Sequence, residues 1–127
     1  MNNKKGDEPS LVHLSTGAHW TIVYHNLFQI DPQTATHFGT DNEGYTIWNR
    51  YFLQDLLHIH NTAKKLILDV GWYPEADPTG SFGLVVVRRV SDDRNLVPED
   101  DWDHPLVDLE TRSLDELLKQ IEKIIHS

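Results

Sequence analysis

Leu66-Ile67-Leu68-Asp69-Val70-Gly71-Trp72-Tyr73, then Pro74-Glu75-Ala76-Asp77-Pro78-Thr79-Gly80-Ser81, then Phe82-Gly83-Leu84-Val85-Val86-Val87-Arg88-Arg89-Val90: the reading of this stretch decides the fold. Two largely apolar runs flank a connector dense in turn formers, and its two prolines exclude a continuing ladder. The spacing predicts two antiparallel strands, Leu66–Tyr73 and Phe82–Val90. Pairing Gly71 with Gly83 puts Leu66, Leu68, Val70 and Trp72 on one face with Phe82, Leu84 and Val86. Asp69, Gly71, Tyr73, Gly83, Val85 and Val87 then share the other face. Two facing glycines leave a gap that an aromatic ring or a partner can fill.

Outward from this pair, Ser113-Leu114-Asp115-Glu116 carries the pattern of a capping box. Leu114, Leu117, Leu118, Ile121, Ile124 and Ile125 follow as one apolar helical stripe. Ile47, Tyr51, Phe52, Leu56 and Ile59 recur at three- to five-residue spacing, which predicts a second helix from Thr46 to about Asn61. His19–Ile30 fits both an alternating strand and a helical stripe, and the β-branched run Thr21-Ile22-Val23 favours the strand. Asp31-Pro32 ends it. Residues 33–44 read as loop, Leu106–Glu110 as a short strand, and Met1–Ser10 as a mobile tail. The expectation is one α+β domain over residues 11–127, a mainly antiparallel sheet of about four strands packed by two or more helices.

Composition narrows the function. The chain has 127 residues, 11 Lys+Arg against 20 Asp+Glu, and a net charge of −9. Such a surface repels phosphate backbones, so nucleic acid is not the expected partner, whereas a cationic protein is. Cysteine is absent, which removes disulfides, thiol nucleophiles and Cys-based metal centres. No apolar run approaches the ~20 residues of a membrane span, and Met1–Ser10 lacks the apolar stretch of a signal peptide. A soluble, cytoplasmic protein is expected.

Catalytic templates are missing: there is no G-x-S-x-G elbow, no P-loop and no H-E-x-x-H. Of the eight histidines, His58-Ile59-His60 is the tightest pair, yet i and i+2 on a helix point about 200° apart. They share an ion only if the segment is extended. No metal and no cofactor is expected. Asp69, inside an apolar strand, reads either as a structural hydrogen-bonding group or as a partner contact. The strongest charge signal runs from Asp92 to Glu116. Its ten acids are Asp92, Asp93, Glu99, Asp100, Asp101, Asp103, Asp108, Glu110, Asp115 and Glu116, against the two arginines Arg94 and Arg112, a net −8. Trp102 sits within it, either as an aromatic anchor for a basic partner or as a core residue folded back on the sheet.

Leu68-Asp69-Val70-Gly71-Trp72-Tyr73-Pro74, Asp77-Pro78-Thr79-Gly80, the strand Phe82–Val87, and the tail with Trp102, Pro105-Leu106, Thr111-Arg112-Ser113 and its amphipathic helix resemble a pattern in bacterial immunity proteins. The chain is similar, over about residues 46–126, to immunity proteins of contact-dependent growth inhibition and wider polymorphic-toxin systems. The resemblance implies a small cytoplasmic antidote that is not an enzyme and neutralises one cognate toxin domain, a nuclease in the expected case, by masking its basic active-site surface. It transfers no catalytic residue. The expected toxin-binding set, drawn from the charge pattern, is Asp92, Asp93, Glu99, Asp100, Asp101, Trp102 and Asp103, with Trp72, Glu75 and Asp77 from the turn after the first strand. The alternative is a small hydrolase or ligand-binding protein that uses Asp69 and a nearby histidine.

Overall fold

The computed structural model describes residues 9–34, 45–89 and 102–127. Its elements are β1 (Trp20–His25), α1 (Ile47–Tyr51), β2 (Leu57–Asn61), β3 (Leu66–Tyr73), β4 (Ser81–Arg88), β5 (Val107–Thr111) and α2 (Leu114–Ile125). The strands form one antiparallel sheet in the order β1-β2-β3-β4-β5, so each pairs with its neighbour in sequence. This is the expected α+β architecture with five strands instead of about four.

The deciding stretch folds as its pattern dictates. Gly71 pairs with Gly83, Leu68 with Val86 and Trp72 with Phe82. Trp72, Leu68, Val70, Phe82, Leu84 and Val86 are all buried. Leu114, Leu117, Ile121 and Ile125 of α2 and Trp48 and Phe52 from the α1 region pack into the same cluster. Trp72 lies edge-on to Phe52 at 4.8 Å and to Phe82 at 5.0 Å. Each such aromatic buries ~150–250 Å² and contributes both area and directed ring contacts.

The long helix expected over Thr46–Asn61 does not form. Helix α1 stops at Tyr51, the chain passes beside β3, and Leu57–Asn61 is strand β2. Thr46 caps α1 reciprocally: the Asn49 N–H donates to its hydroxyl at 3.2 Å, and the Thr46 N–H donates to Asn49 Oδ1 at 3.0 Å. Beyond Phe52 the strands offer a better use of the apolar groups. Leu57, Ile59 and Asn61 are buried while His58 and His60 are half-buried, a period of two that competes with the helical stripe and prevails once β3 supplies a ladder. The Leu56 N–H donates to Val70 O at 3.0 Å and the Trp72 N–H to Leu53 O at 2.8 Å, so residues 53–56 are already tied to β3.

Smaller differences have equally local causes. Strand β1 confirms the extended reading of residues 20–25, but its register shifts between Ile22 and Tyr24. That bulge turns Tyr24 to the face opposite Trp20. Ser10, placed in the tail from sequence, accepts at its carbonyl from the Gln29 N–H at 2.8 Å. At α2 only half of the capping box is made: the Glu116 N–H donates to Ser113 Oγ at 3.1 Å, while the Ser113 N–H donates to Thr111 Oγ1 at 3.1 Å. The β3–β4 loop is fastened from the α2 side by Arg112. Its guanidinium donates to Pro78 O at 3.0 Å and to Gly80 O, and lies 5.6 Å above the Trp72 ring.

Candidate functional site

Because paired residues share a face, the register writes a row across the sheet. Tyr24 pairs with His58, His58 with Asp69, Asp69 with Val85 and Val85 with Asp108. The next row is Gly71, Gly83 and Glu110. Both rows lie on the face away from Trp72 and Phe82, and among the described elements both helices contribute to the other face. This second face therefore carries Tyr24, Tyr73, His58, Asp69, Asp108 and Glu110, with Asp55 beside Tyr24.

The gap foreseen at the two glycines is filled from within the chain. Tyr73, two residues after Gly71 on the same face, lays its ring over both: a Cβ on Gly83 would sit 3.3 Å from Tyr73 Cδ2, and one on Gly71 would sit 2.7 Å from Tyr73 Oη. A Gly71 Cβ would also collide with the backbone carbonyl of Gln54. Tyr73 remains 49% exposed, so the ring is at once a glycine cover and part of the surface.

Around it the polar groups are linked. The Tyr24 hydroxyl donates to Asp55 Oδ1 at 3.3 Å, and its ring stacks on His58 at 5.4 Å between centroids. His58 Nδ1 lies 3.4 Å from Asp69 Oδ2, His58 Nε2 lies 3.0 Å from His60 Nε2, and Arg89 NH1 donates to His60 Nδ1 at 2.9 Å. Burial, the charges of Asp69 and Asp55 and the hydrogen bond to Asp55 push the Tyr24 phenol well above its usual range. Tyr73 is raised by burial first and then by the same two carboxylates. Both phenols stay neutral donors in the presence of carboxylates.

His58 and His60 meet because the segment is a strand and not a helix, the condition under which i and i+2 share a face. Among the described residues, no group of three or more His, Asp or Glu side chains is placed to hold a metal ion. Asp55, which on a helix would have lain beside His58, is instead the acceptor for Tyr24.

The expected toxin-binding residues are distributed unevenly. Trp72 is removed from the set: it is 0% exposed, and its Nε1 donates to Asp77 O at 2.8 Å. The run of alternating core positions in β3 takes it inward, and the exposed aromatic of that turn is its neighbour Tyr73. Asp77 is occupied in the turn itself, where Oδ1 accepts from the Thr79 N–H at 2.8 Å and the Thr79 hydroxyl at 2.7 Å. These two donations, backbone first, and the nearby Arg112 charge hold its carboxyl below the usual range. Glu75 is exposed at the same turn. Trp102 is 44% exposed, which selects the surface reading over the core one, and Asp103 beside it is exposed. Asp92, Asp93, Glu99, Asp100 and Asp101 lie outside the described residues.

Sequence reasoning placed Asp69 and Tyr73 on this face but missed Tyr24, His58, His60 and Arg89 as its companions. The available signal was the alternation Leu57-His58-Ile59-His60-Asn61. Among the described residues, no helix is long and apolar enough to cross a membrane. No family model matches the chain, and neither a curated protein nor a solved structure matches it.

Proposed function

We propose that the chain is an immunity-type protein that neutralises one cognate toxin domain, a nuclease, by covering its basic active-site surface. The observation that supports this most is the composition of the second sheet face. Asp55 and Asp69 act on two tyrosines, Tyr24 stacked on His58 and Tyr73 lying over Gly71 and Gly83, and β5 adds the exposed Asp108 and Glu110 to the same face. Aromatic groups held at low entropic cost beside carboxylates match a cationic protein surface, because the charges steer encounter and the rings supply burial. The net charge of −9 acts in the same direction. Trp102 and Asp103 are exposed as well.

Charge reversal tests the reading. Asp108→Lys with Glu110→Lys changes two exposed β5 side chains, and close complementary pairs of this kind couple by about 1.5–7 kcal/mol. Titration calorimetry against a candidate toxin domain taken from a neighbouring gene should show at least tenfold weaker binding of the double variant, with its circular dichroism unchanged. Unaltered affinity in the folded variant places the interface elsewhere.

The His58–Asp69 contact at 3.4 Å favours the second reading, a hydrolase or ligand-binding site. A carboxylate that orients an imidazole is half of a nucleophile-activating arrangement. Yet the Nε2 that would face a nucleophile faces His60 at 3.0 Å. Hydrolysis of a panel of ester and phosphoester substrates that is abolished by His58→Gln would establish this reading over the binder.

A further inference from the structure

The sheet ends in β1 on one side and β5 on the other. The register of β1 shifts at its bulge, a feature that blunts an edge against further pairing. β5 pairs with β4 from Val107 to Thr111 without a shift. The direction of its backbone groups follows from the ladder. The Arg89 N–H donates to Lys65 O at 2.7 Å, which continues the β3–β4 register by one pair and makes that pair a hydrogen-bonded one. Such pairs alternate in an antiparallel ladder, so Ile67–Val87, Asp69–Val85 and Gly71–Gly83 are bonded as well. Phe82, Leu84 and Val86 then turn their backbone groups to β5, where they meet Thr111, Leu109 and Val107. The donation from the Leu106 N–H to Val86 O at 2.7 Å agrees. Asp108 and Glu110 are left with N–H and C=O pointing outward, and among the described residues these four groups have no hydrogen-bond partner.

The side chains say what kind of strand this edge takes. Asp108 and Glu110 are exposed on the second face, while Leu109 between them is half-buried against the core on the other. A second copy is a poor occupant. Two β5 strands paired antiparallel about Leu109 would set each Asp108 opposite a Glu110 of the other copy, and like charges directly opposite are destabilising. A strand with a cation at every second position meets both carboxylates instead. Its residues opposite Asp108 and Glu110 stand in hydrogen-bonded pairs, so the same two residues supply the backbone bonds and the charges.

We propose that β5 accepts an added antiparallel strand from a cationic partner, with Lys or Arg opposite Asp108 and Glu110 and an apolar residue between them beside Leu109. Backbone bonds give such an addition its affinity, and the alternate side chains give it specificity. The proposal rests on the docking reading for the sign of the partner, and it adds the edge and the residue pattern by which that partner is taken.

A short capped peptide alternating lysine and valine, titrated into the ¹⁵N-labelled wild-type protein, tests it. The Asp108 and Glu110 amide resonances should shift, and their hydrogen exchange should slow. N-methylation of the lysine nitrogens, which face β5, should abolish binding, whereas N-methylation of the valine nitrogens, which face away, should leave it. Asp108→Lys with Glu110→Lys should weaken binding of this peptide about tenfold or more and favour a peptide with glutamate in place of lysine. Absence of binding overturns the proposal, because the carboxylates then only guard the edge. So does binding that survives methylation of the lysine nitrogens, which is charge attraction alone, or binding that the valine methyls abolish. These peptide results use the wild-type protein and no toxin domain. Peptide addition at β5 without a toxin complex would refute the docking reading alone, and a toxin complex without peptide addition would refute the strand alone.

Discussion

Substituting the two facing glycines separately should have very different consequences, although both sit in strand centres and face one another. At either site, exchange of Gly for Ala in a strand gains about 0.5–1 kcal/mol of backbone entropy. At Gly83 the new methyl would meet only the Tyr73 ring, at 3.3 and 3.4 Å, and a ring at the surface can give by a few tenths of an ångström. The two effects offset, and Gly83→Ala should change stability by less than about 1 kcal/mol. At Gly71 the methyl would strike the Gln54 carbonyl, which is backbone, besides Tyr73 Oη at 2.7 Å. The carbonyl has little room to retreat, because its neighbours are bonded to β3 through Leu53 O at 2.8 Å and the Leu56 N–H at 3.0 Å. Overpacking against fixed atoms costs about 1–3 kcal/mol or more, so Gly71→Ala should lose about 2–3 kcal/mol, a fall of roughly 1 M in urea midpoint for a domain of this size. Urea unfolding of both variants, repeated in a Tyr73→Ala background, separates the causes. Removing the ring should abolish any cost at Gly83 but leave most of the cost at Gly71. Equal losses at the two glycines, or a Gly71→Ala protein as stable as wild type, would refute the packing argument.

Leu117→Ala, at a position that is 0% exposed, should cost about 2–5 kcal/mol in urea unfolding. Leu118→Ala should cost less, because Leu118 is only partly buried. Ser113→Ala should cost about 0.5–2 kcal/mol by removing the acceptor for the Glu116 N–H. Arg112→Lys should not restore what Arg112→Ala loses in thermal unfolding, since a lysine cannot span Pro78 O and Gly80 O while lying over Trp72. Tyr24 and Tyr73 should ionise above the ordinary tyrosine range in an ultraviolet titration. The folded state keeps two phenolic protons that the unfolded chain releases near its ordinary value of about 10. Their stabilisation is complete below about pH 10 and declines as pH rises beyond it, a decline that Tyr24→Phe should reduce.

The β3–β4 unit was legible because its two signals agree: prolines in the connector forbid continuation, and the apolar alternation on both sides fixes the register at Gly71 and Gly83. α2 was legible for the same reason, with a cap and a stripe pointing to one helix. The segment 46–61 misled because Ile47, Tyr51, Phe52, Leu56 and Ile59 satisfy a helical spacing, while Leu57–Asn61 satisfies a strand spacing equally well. Only the presence of β3 as a partner decides between them, and that is a tertiary fact. The site inherits this: with 57–61 extended, His58 and His60 join Asp69, and neither ring has a reason to do so on a helix. Trp72 was misplaced for a different reason. Its place beside the turn put it in the toxin-binding set, although the alternation that buries Leu68 and Val70 had already set it on their face. The bulge that turns Tyr24 toward His58 has no signature in the residues of β1.

Binding between this chain and a candidate toxin domain taken from a neighbouring gene, measured by calorimetry across a range of salt concentrations, tests the central claim most directly. The account predicts a saturable one-to-one complex whose association slows as salt rises, because screening shortens the reach of the carboxylates on the second sheet face, together with rescue of cells that express that toxin and no other. Absence of binding to that domain, or equal binding to unrelated toxins without salt dependence, would contradict it.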